Sequence, residues 1–550
     1  MTPYSNFNLL RALGVALLLL KASPAFGQAA PTSRVTPSTI APQAPQSQPE
    51  PILRAPTHNV DAPASASTLS VTIRKFEVID GYPDLANLVR IEAAKAEGRQ
   101  TTISELYAIA ARIEAIYAQE GYFLARVVVP PQRVDDGGTF SIRIVKGYIE
   151  SIQINVLDPN SKKLIERRLG ALIGNTDLTY AELERRISLA GDGPGLTLTS
   201  ALTRGEKVGG VRLVVQGKFR PVAVRVGFDN SVADGFSGVQ FWTQGILNNV
   251  LGHGEVIYGS IFNGPDLDRV VANNPERRVL GVGAIIPAGN NGLSLNPEFV
   301  SARIHPREQP GILITTGNFT RVSLKLAYPL IRSRAQNLIL SGGFEAVDED
   351  QIADEFDTAL SIDKLRIASF SADWNANLSG NLSFASRFSV NQGINALGAR
   401  DRADVAATRI GFSRSGSRPD YTKINIDWSA RYLSSGRLNA SLSFHFQHSL
   451  TGALPSYGQF RMDSEDGLSA FAPGTFSVDS GLTLRGEFGP RVAGSTFNVA
   501  PYVFGAFGTG HLANPTRLET SNMLGGRSGS APEQPCSRPI PDRRCKRRLR

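Results

Sequence analysis

Cysteine is almost missing from this chain. Of 550 residues only Cys536 and Cys545 are cysteine, and both lie in an arginine-rich tail, so a disulfide framework holding the body is excluded. Six histidines are too few and too scattered for a histidine-built metal centre, and His253, between Gly252 and Gly254, reads as a plain turn. No apolar run reaches the ~20 residues that a membrane-spanning helix needs. The run Ala12–Leu20 follows Arg11 and precedes Ser23-Pro24-Ala25-Phe26-Gly27. Small residues three places and one place before a cut after Gly27 make residues 1–27 an export signal. Acidic residues are scarce at the other end. Residues 537–550 hold seven Lys/Arg against Asp542 alone, which inflates the net charge of +9. The basic balance is therefore no mark of nucleic-acid binding.

What is present is glycine, 53 residues, and phenylalanine, 27 residues, a composition that suits a large β protein full of turns. Residues 28–68 are rich in Pro, Ala, Gln, Ser and Thr with almost no aromatic or β-branched clusters. Such a segment cannot bury enough apolar surface to order itself, so a disordered linker is expected there.

From Leu69 the texture changes. Val71–Ile79 reads as a strand and Pro83–Glu97 as a helix. Thr102-Ile103-Ser104-Glu105 has the capping-box form that opens a helix, Leu106, Ala110, Ile113 and Tyr117 recur at helical spacing, and Gly121 sits where the helix stops. Leu124–Val129 is a strand, and a turn at Asp135–Gly138 leads into Phe140, Ile142 and Ile144, which alternate with polar residues. The pattern then repeats. Ile152, Ile154 and Val156 open a strand, helices follow over Ser161–Leu172 and Thr179–Ala190, and strands over Leu196–Leu202 and Val211–Val215 close the copy. Two small α+β domains are expected, at 69–147 and 148–218.

After Lys218 the helices vanish and alternating strands persist for about three hundred residues, 219–520. Val322, Leu324, Leu326 and Tyr328 fall on one face against Ser323 and Lys325. Leu438, Ala440, Leu442, Phe444 and Phe446 oppose Asn439, Ser441, Ser443, His445 and Gln447. Val256, Tyr258 and Phe262 form a third apolar row. Strands of this kind occur in soluble sandwiches and in membrane barrels. The scale favours a transmembrane antiparallel β-barrel with a wet lumen, whose closure removes every sheet edge from lipid.

Several motifs carry a family resemblance over about residues 69–510. Glu120-Gly121-Tyr122, Ala125-Arg126, Pro130-Pro131-Gln132 and Val145-Lys146-Gly147 look like a polypeptide-transport-associated (POTRA) domain. Leu183-Glu184, Pro194-Gly195 and Gly209-Gly210 match in the second copy. Asp229-Asn230, Asn249, Leu251-Gly252-His253-Gly254-Glu255 and Tyr328-Pro329-Leu330-Ile331-Arg332-Ser333-Arg334 follow in the barrel. Each motif is weak singly; in this order the chain resembles the outer-membrane transporters of two-partner secretion, the haemolysin secretion/activation family.

The resemblance implies a barrel of about sixteen strands behind two POTRA domains, in the outer membrane with the small domains in the periplasm. It implies a large secreted exoprotein, haemolysin- or adhesin-like, as client, bound unfolded through sheet edges and threaded through the lumen. Outer-membrane lipid and the barrel-assembly machinery are further expected partners, with no nucleic acid, cofactor, metal or catalytic role. A barrel-assembly factor of the same superfamily and a plain porin are the competing readings. Arg126, Gln132, Arg143 and Lys146 are the candidate client-binding side chains. Arg332 and Arg334 either line the lumen or sit at a rim turn. Family members carry a lumenal loop whose Arg pairs with an Asp in an FxDxG strand. Here Leu454–Phe460, with Gln459 and Phe460, leads into the loop. Gly467–Phe471 stands where the Arg belongs, and Phe504-Gly505-Ala506-Phe507-Gly508 puts Ala506 in the Asp place.

Two local readings complete the chain. Glu345, Asp348, Glu349 and Asp350 read as a solvated turn, lacking the glycine and terminal glutamate of a calcium loop. Asp479 and Glu487 form no acid–base pair. Residues from about Ser521, being Gly/Ser-rich, then Pro-rich, then Arg-rich, are expected to lie outside the native barrel. A frame shift near Asn522–Arg527, leaving a truncated copy, is one explanation and a disordered basic tail the other.

Overall fold

The structure is a computed structural model that describes residues 31–42, 62–63, 66–229, 236, 238–264, 275–307, 313–434, 438–471, 473–493, 498–515 and 522–531. Residues 1–30, on which the expected export signal falls, and residues 532–550 lie outside the described residues. A short helix, α1 (Thr32–Val35), comes first.

The first small domain runs β1 (Ser70–Thr72), β2 (Lys75–Ile79), α2 (Ala86–Ala94), β3 (Gln100–Thr102), α3 (Ile103–Gln119), β4 (Arg126–Val128) and β5 (Thr139–Val145). The expected strand Val71–Ile79 is thus two strands, the first pairing with β3 and the second running parallel to β5. The helix α3 starts because Thr102 Oγ1 accepts from Glu105 N at 3.2 Å, one of the orphan donors of a helix start. Leu106, Ile109, Ala110, Ile113 and Tyr117 then fall on one face and are buried. They pack with Phe76, Val89, Phe140 and Ile142 as the core.

The second domain repeats the plan with β6 (Tyr148–Asn155), α4 (Pro159–Leu169), α5 (Tyr180–Gly191), β7 (Leu196–Arg204) and β8 (Gly210–Phe219). Asp158 caps α4 and Thr179 caps α5, each accepting from a backbone N–H three residues on. In each domain the central strand pairs parallel on one side and antiparallel on the other, in the orders β2-β5-β4 and β6-β8-β7. Tyr82 joins the domains: it stacks on Tyr122 at 3.8 Å, and its hydroxyl donates to Thr176 O at 3.0 Å.

The barrel wall is one antiparallel sheet of fourteen strands. They are β9 (Val222–Asp229), β10 (Gln240–Asn248), β11 (Val256–Asn263), β12 (Arg277–Pro287), β13 (Ser294–Ile304), β14 (Thr315–Arg332), β15 (Gln336–Ala353), β16 (Thr358–Ser379) and β17 (Leu382–Gly393). A loop helix, α6 (Arg402–Thr408), precedes β18 (Thr422–Leu433) and β19 (Leu438–Ser449). The long loop after β19 carries the two-residue strands β20 (Phe460–Arg461) and β21 (Ser477–Val478). Then come β22 (Ser480–Pro490), a turn with β23 (Val492–Ala493) and β24 (Asn498–Val499), β25 (Tyr502–His511) and β26 (Asn522–Ala531). Fourteen strands are described against the sixteen implied by the resemblance, and among the described residues no ladder joins β26 to β9.

Period-two patterning explains the wall. Val322, Leu324 and Leu326 are exposed on the outer face, whereas Arg321, one residue out of phase, is 1 % exposed inside. Three expectations are corrected. Tyr258 and Ser260 are buried on the lumen side and Ile261 is exposed outside, so the Val256 row faces inward: its register places a tyrosine hydroxyl among polar partners. The acidic run Glu345–Asp350 lies within β15 and is no turn. Finally, Asn522–Ala531 pairs with β25 over ten residues, so barrel sequence continues past 520. A Gly/Ser strand has no apolar face to read, yet its backbone makes the same ladder bonds as any other.

The first domain generates a pH prediction. Hydrogen bonds from Lys95 and then Arg112 hold the Glu92 carboxyl below the usual glutamate range. A depressed carboxylate stabilises the fold above its unfolded value of ~4.3, and that contribution is lost as the pH falls through the native value. Glu92→Gln in a 66–219 fragment should therefore lower urea stability at pH 7, with the gap to wild type closing in acid. A gap that stays constant down to full protonation would contradict this.

Candidate functional site

Three regions converge on the barrel: the turns at its small-domain end, its lumen, and the long loop 450–479. At the first, helix α5 docks on turns of the wall. Arg332 makes a two-pronged pair with Asp192, at 2.7 and 2.5 Å, the bidentate geometry that suits a guanidinium and a carboxylate. Arg334 Nε lies 3.8 Å from Glu184, and Arg185 reaches Leu330 O at 3.2 Å. Gly292 in the β12–β13 turn permits the approach, since a Cβ there would lie 2.7 Å from Leu189. Arg332 and Arg334 are thus rim residues that hold the second domain and do not line the lumen.

The four candidate client-binding residues separate in the same way. Gln132 accepts from Ser141 N and donates to Ser141 O, at 2.8 and 2.7 Å, adding a rung beside β5. Arg126 turns back to Ala125 O at 2.7 Å. Lys146 sits 4.5 Å above the Tyr82 ring at the junction of the two domains. Beside it the Tyr122 hydroxyl, donating to Asp84, has its pKa pushed up to about 12 by that hydrogen bond. Arg143, 3.5 Å from Asp80, is the most open of the four.

The lumen holds residues 31–42 of the same chain. Ser33 N donates to Glu349 at 2.7 Å, Ile40 N to Glu298 at 3.1 Å, and Gln244 Nε2 to Ile40 O at 2.9 Å. Arg321 donates to Pro37 O at 3.1 Å and pairs with Glu298 at 2.6 Å. Tyr258 also donates to Glu298, at 3.1 Å. Two glycines make room: a Cβ on Gly281 would lie 2.3 Å from Ile40, and one on Gly317 2.1 Å from Thr32. Residues 31–42 are therefore ordered inside the wall, against the expectation of a disordered linker. The segment cannot build a core of its own, but the lumen supplies fixed donors and acceptors for its backbone.

The loop after β19 folds inward along the wall. Tyr457 donates to Glu345 at 2.6 Å, and both Gln447 and Lys423 donate to Gly458 O, at 3.0 and 2.9 Å. Gln459 is buried at the loop's entry, and Phe460 and Phe471 pack on a small core of Met462, Leu468, Val478 and Leu512. Gly508 is the seat of that core, since a Cβ there would lie 2.7 Å from Met462. At the end of the barrel far from the small domains, Asp479 gathers three loops. It accepts from Arg414 at 2.6 Å, Leu454 N at 2.9 Å and Ala513 N at 2.8 Å. Asp479 and Glu487 thus serve as partners of arginines, since Glu487 lies 2.9 Å from Arg485.

Glu298, Arg321, Arg414 and Arg485 escaped the reading of the sequence as functional residues. Parity carried the signal for one of them: Arg321 precedes Val322 and so had to face the lumen once the outer row was known.

Comparison with known proteins follows the same lines. The model of the family described as haemolysin secretion/activation protein ShlB/FhaC/HecB matches residues 210–530, and that of the ShlB-type POTRA domain matches residues 71–147. The heme/hemopexin transporter protein HuxB of Haemophilus influenzae is 27 % identical over 120 residues, which is 22 % of this chain and 21 % of that relative. The matched stretch thus spans about a fifth of the curated relative. The solved structure of CdiB from Escherichia coli superposes with TM-score 0.68 at 17 % identity, covering 95 % of this chain and 92 % of that one. CdiB from Acinetobacter baumannii gives 0.57 at 15 % identity, covering 96 % and 91 %. Both share the fold.

Two predictions follow from this geometry. Glu298→Gln takes from buried Arg321 the carboxylate it is bonded to, a defect worth up to about 3–5 kcal/mol, and removes an acceptor from the 31–42 segment. Higher ion conductance in planar bilayers is expected; unchanged conductance of a correctly inserted variant would refute the assignment. Arg332→Ala should raise amide exchange across α5 about tenfold or more, as loss of a charged hydrogen bond of ~1.5–3 kcal/mol implies. Exchange at wild-type rates would mean that the fork does not hold the domain.

Proposed function

Because the chain belongs to the haemolysin secretion/activation protein family, the outer-membrane transporters of two-partner secretion, we propose that it takes up an unfolded exoprotein in the periplasm and translocates it through the barrel lumen. The observation that carries this reading is the placement of the two small domains. The second is held by ion pairs against the turns at one end of the wall, so a client gathered there is delivered at the mouth of a polar lumen. The lumen's occupants are the chain's own residues 31–42 and the 450–479 loop, whose polar contacts with the wall are ones that a passing chain can replace one at a time.

The edge best suited to a client is β7. In the first domain the outer edges already have acceptors: Glu97 takes Phe76 N at 2.8 Å, and Glu114 takes Val127 N at 2.7 Å. Along β7, past Leu196, no main-chain hydrogen bond reaches the outer edge among the described residues. A nine-residue edge offers main-chain pairing that reads an extended chain without demanding one sequence. The client is a large secreted protein of haemolysin or adhesin type. The protein is not an enzyme: positioning and pairing are all that transport by this route requires. It works in the outer membrane, inserted by the barrel-assembly machinery and surrounded by lipid.

The full chain should fractionate with the outer membrane as a heat-modifiable band. The 66–219 fragment should bind the amino-terminal region of its exoprotein weakly, with NMR shifts along β7. Proline placed at an outward N–H of β7 removes a ladder donor and should weaken that binding. Shifts confined to β2 or β4 would rule out the β7 assignment, and a soluble periplasmic chain would rule out the transporter.

A further inference from the structure

The inner tip of the 450–479 loop rests on a row that crosses three strands. Ser443 of β19 stands opposite Arg485 of β22, and Arg485 opposite Ala506 of β25. Residues directly opposite in antiparallel strands point to the same face, and here that face is the lumen, where Arg485 is 2 % exposed. The tip meets this row residue by residue. Ser443 Oγ donates to Asp466 O at 3.2 Å. Arg485 Nη1 donates to Ser469 Oγ at 2.8 Å and lies 3.5 Å from Gly467 O. Ala506 packs against the cluster containing Met462 and Leu468.

The wall prepares Arg485 for that contact. Its guanidinium lies 3.9 Å above the Phe504 ring, and its Nε is 2.9 Å from Glu487 Oε1. Glu487 in turn accepts from Ser441 Oγ at 3.1 Å. A planar cation stacked on a ring and tied at one nitrogen keeps its remaining donors aimed in one direction. Toward the far end, Gly508, Gly510 and Gly481 make room for the loop's side chains against the wall. Cβ atoms there would lie 2.7 Å from Met462, 2.7 Å from Val478 and 3.0 Å from Val478 respectively.

We infer that Arg485 is the positioning residue that seats the loop tip, with the charge of the lock carried by the barrel wall and neutral acceptors supplied by the loop. This polarity is the reverse of the loop-Arg and strand-Asp pair implied by the resemblance. It explains how the loop lies inward with Ala506 in the Asp place and no arginine in Gly467–Phe471. The inference rests on the transporter reading only for its consequence, that client passage requires the tip to leave Arg485.

The test uses the full chain in outer membranes, with Cys536 and Cys545 replaced by serine and a single cysteine at Leu468, which is 1 % exposed in the seated loop. Maleimide labelling then reports the tip without any client. Arg485→Gln should raise the labelling rate about tenfold or more, as loss of a charged hydrogen bond implies. Arg485→Lys, which keeps the cation but not the planar fork, should restore part of the protection, a rescue that a space-filling role would not require. If Arg485→Gln fails to give a heat-modifiable barrel, Ser469→Gly, which removes the hydroxyl that accepts from Arg485, should still raise labelling about threefold. Wild-type labelling in an assembled Arg485→Gln barrel, or in Ser469→Gly, overturns the inference. A barrel that labels as expected but secretes no client would instead count against the transporter reading.

Discussion

Lipid offers no partner for a backbone N–H or C=O, and this constraint shapes the whole protein. A wall in the bilayer has to satisfy its main chain by strand pairing, as the antiparallel ladders from β9 through to β26 do between neighbouring strands. Once the ladder is set, strand geometry sorts the side chains. Every second residue faces outward toward lipid, and most of these are apolar, as Val322, Leu324 and Leu326 are. Those between turn to the lumen, where polar groups need partners in their turn.

The lumen answers that need with paired charges. Arg321 with Glu298, Arg414 with Asp479 and Arg485 with Glu487 are all nearly closed to solvent. Such pairs add little net stability, because desolvation offsets attraction, yet removing one partner costs several kcal/mol. Their effect is therefore to select an arrangement. Each pair also touches a segment that is not part of the wall: residues 37–40 for the first, three far-end loops for the second, the inward loop tip for the third. The segments inside the wall are thus fixed by polar contacts together with two apolar seats, Ile40 in one and the Met462–Leu468 cluster in the other.

The small domains follow a different logic. Each has its own apolar core, so each folds by burial, while their attachment to the barrel is polar. Asp192 and Glu184 on or beside α5 meet Arg332 and Arg334 on one turn. Leu189 fills the space that Gly292 leaves. A junction of this composition is specific in direction without adding a large apolar interface.

The sequence by itself determined the parts governed by local rules: two repeats of a small α+β domain, their capped helices, and a long run of alternating strands with apolar outer faces. Those features depend on periods of 3.6 and 2 and on turn chemistry, all readable within a dozen residues. Tertiary structure decided the rest, because it depends on which residues meet across hundreds of positions. Residues 31–42 look in sequence unable to order themselves, but Glu298, Arg321 and Glu349 hold them. The Gly/Ser stretch Asn522–Ala531 shows no amphipathic pattern, yet the backbone of β25 gives it ladder partners. Arg332 could be read as lining the lumen or sitting at the rim until Asp192 was seen opposite it. Arg485 carried no motif at all. Its role arises from the register that sets it beside Ala506 and beneath a loop tip sixteen to eighteen residues earlier in the chain, and register belongs to the sheet, not to any one strand.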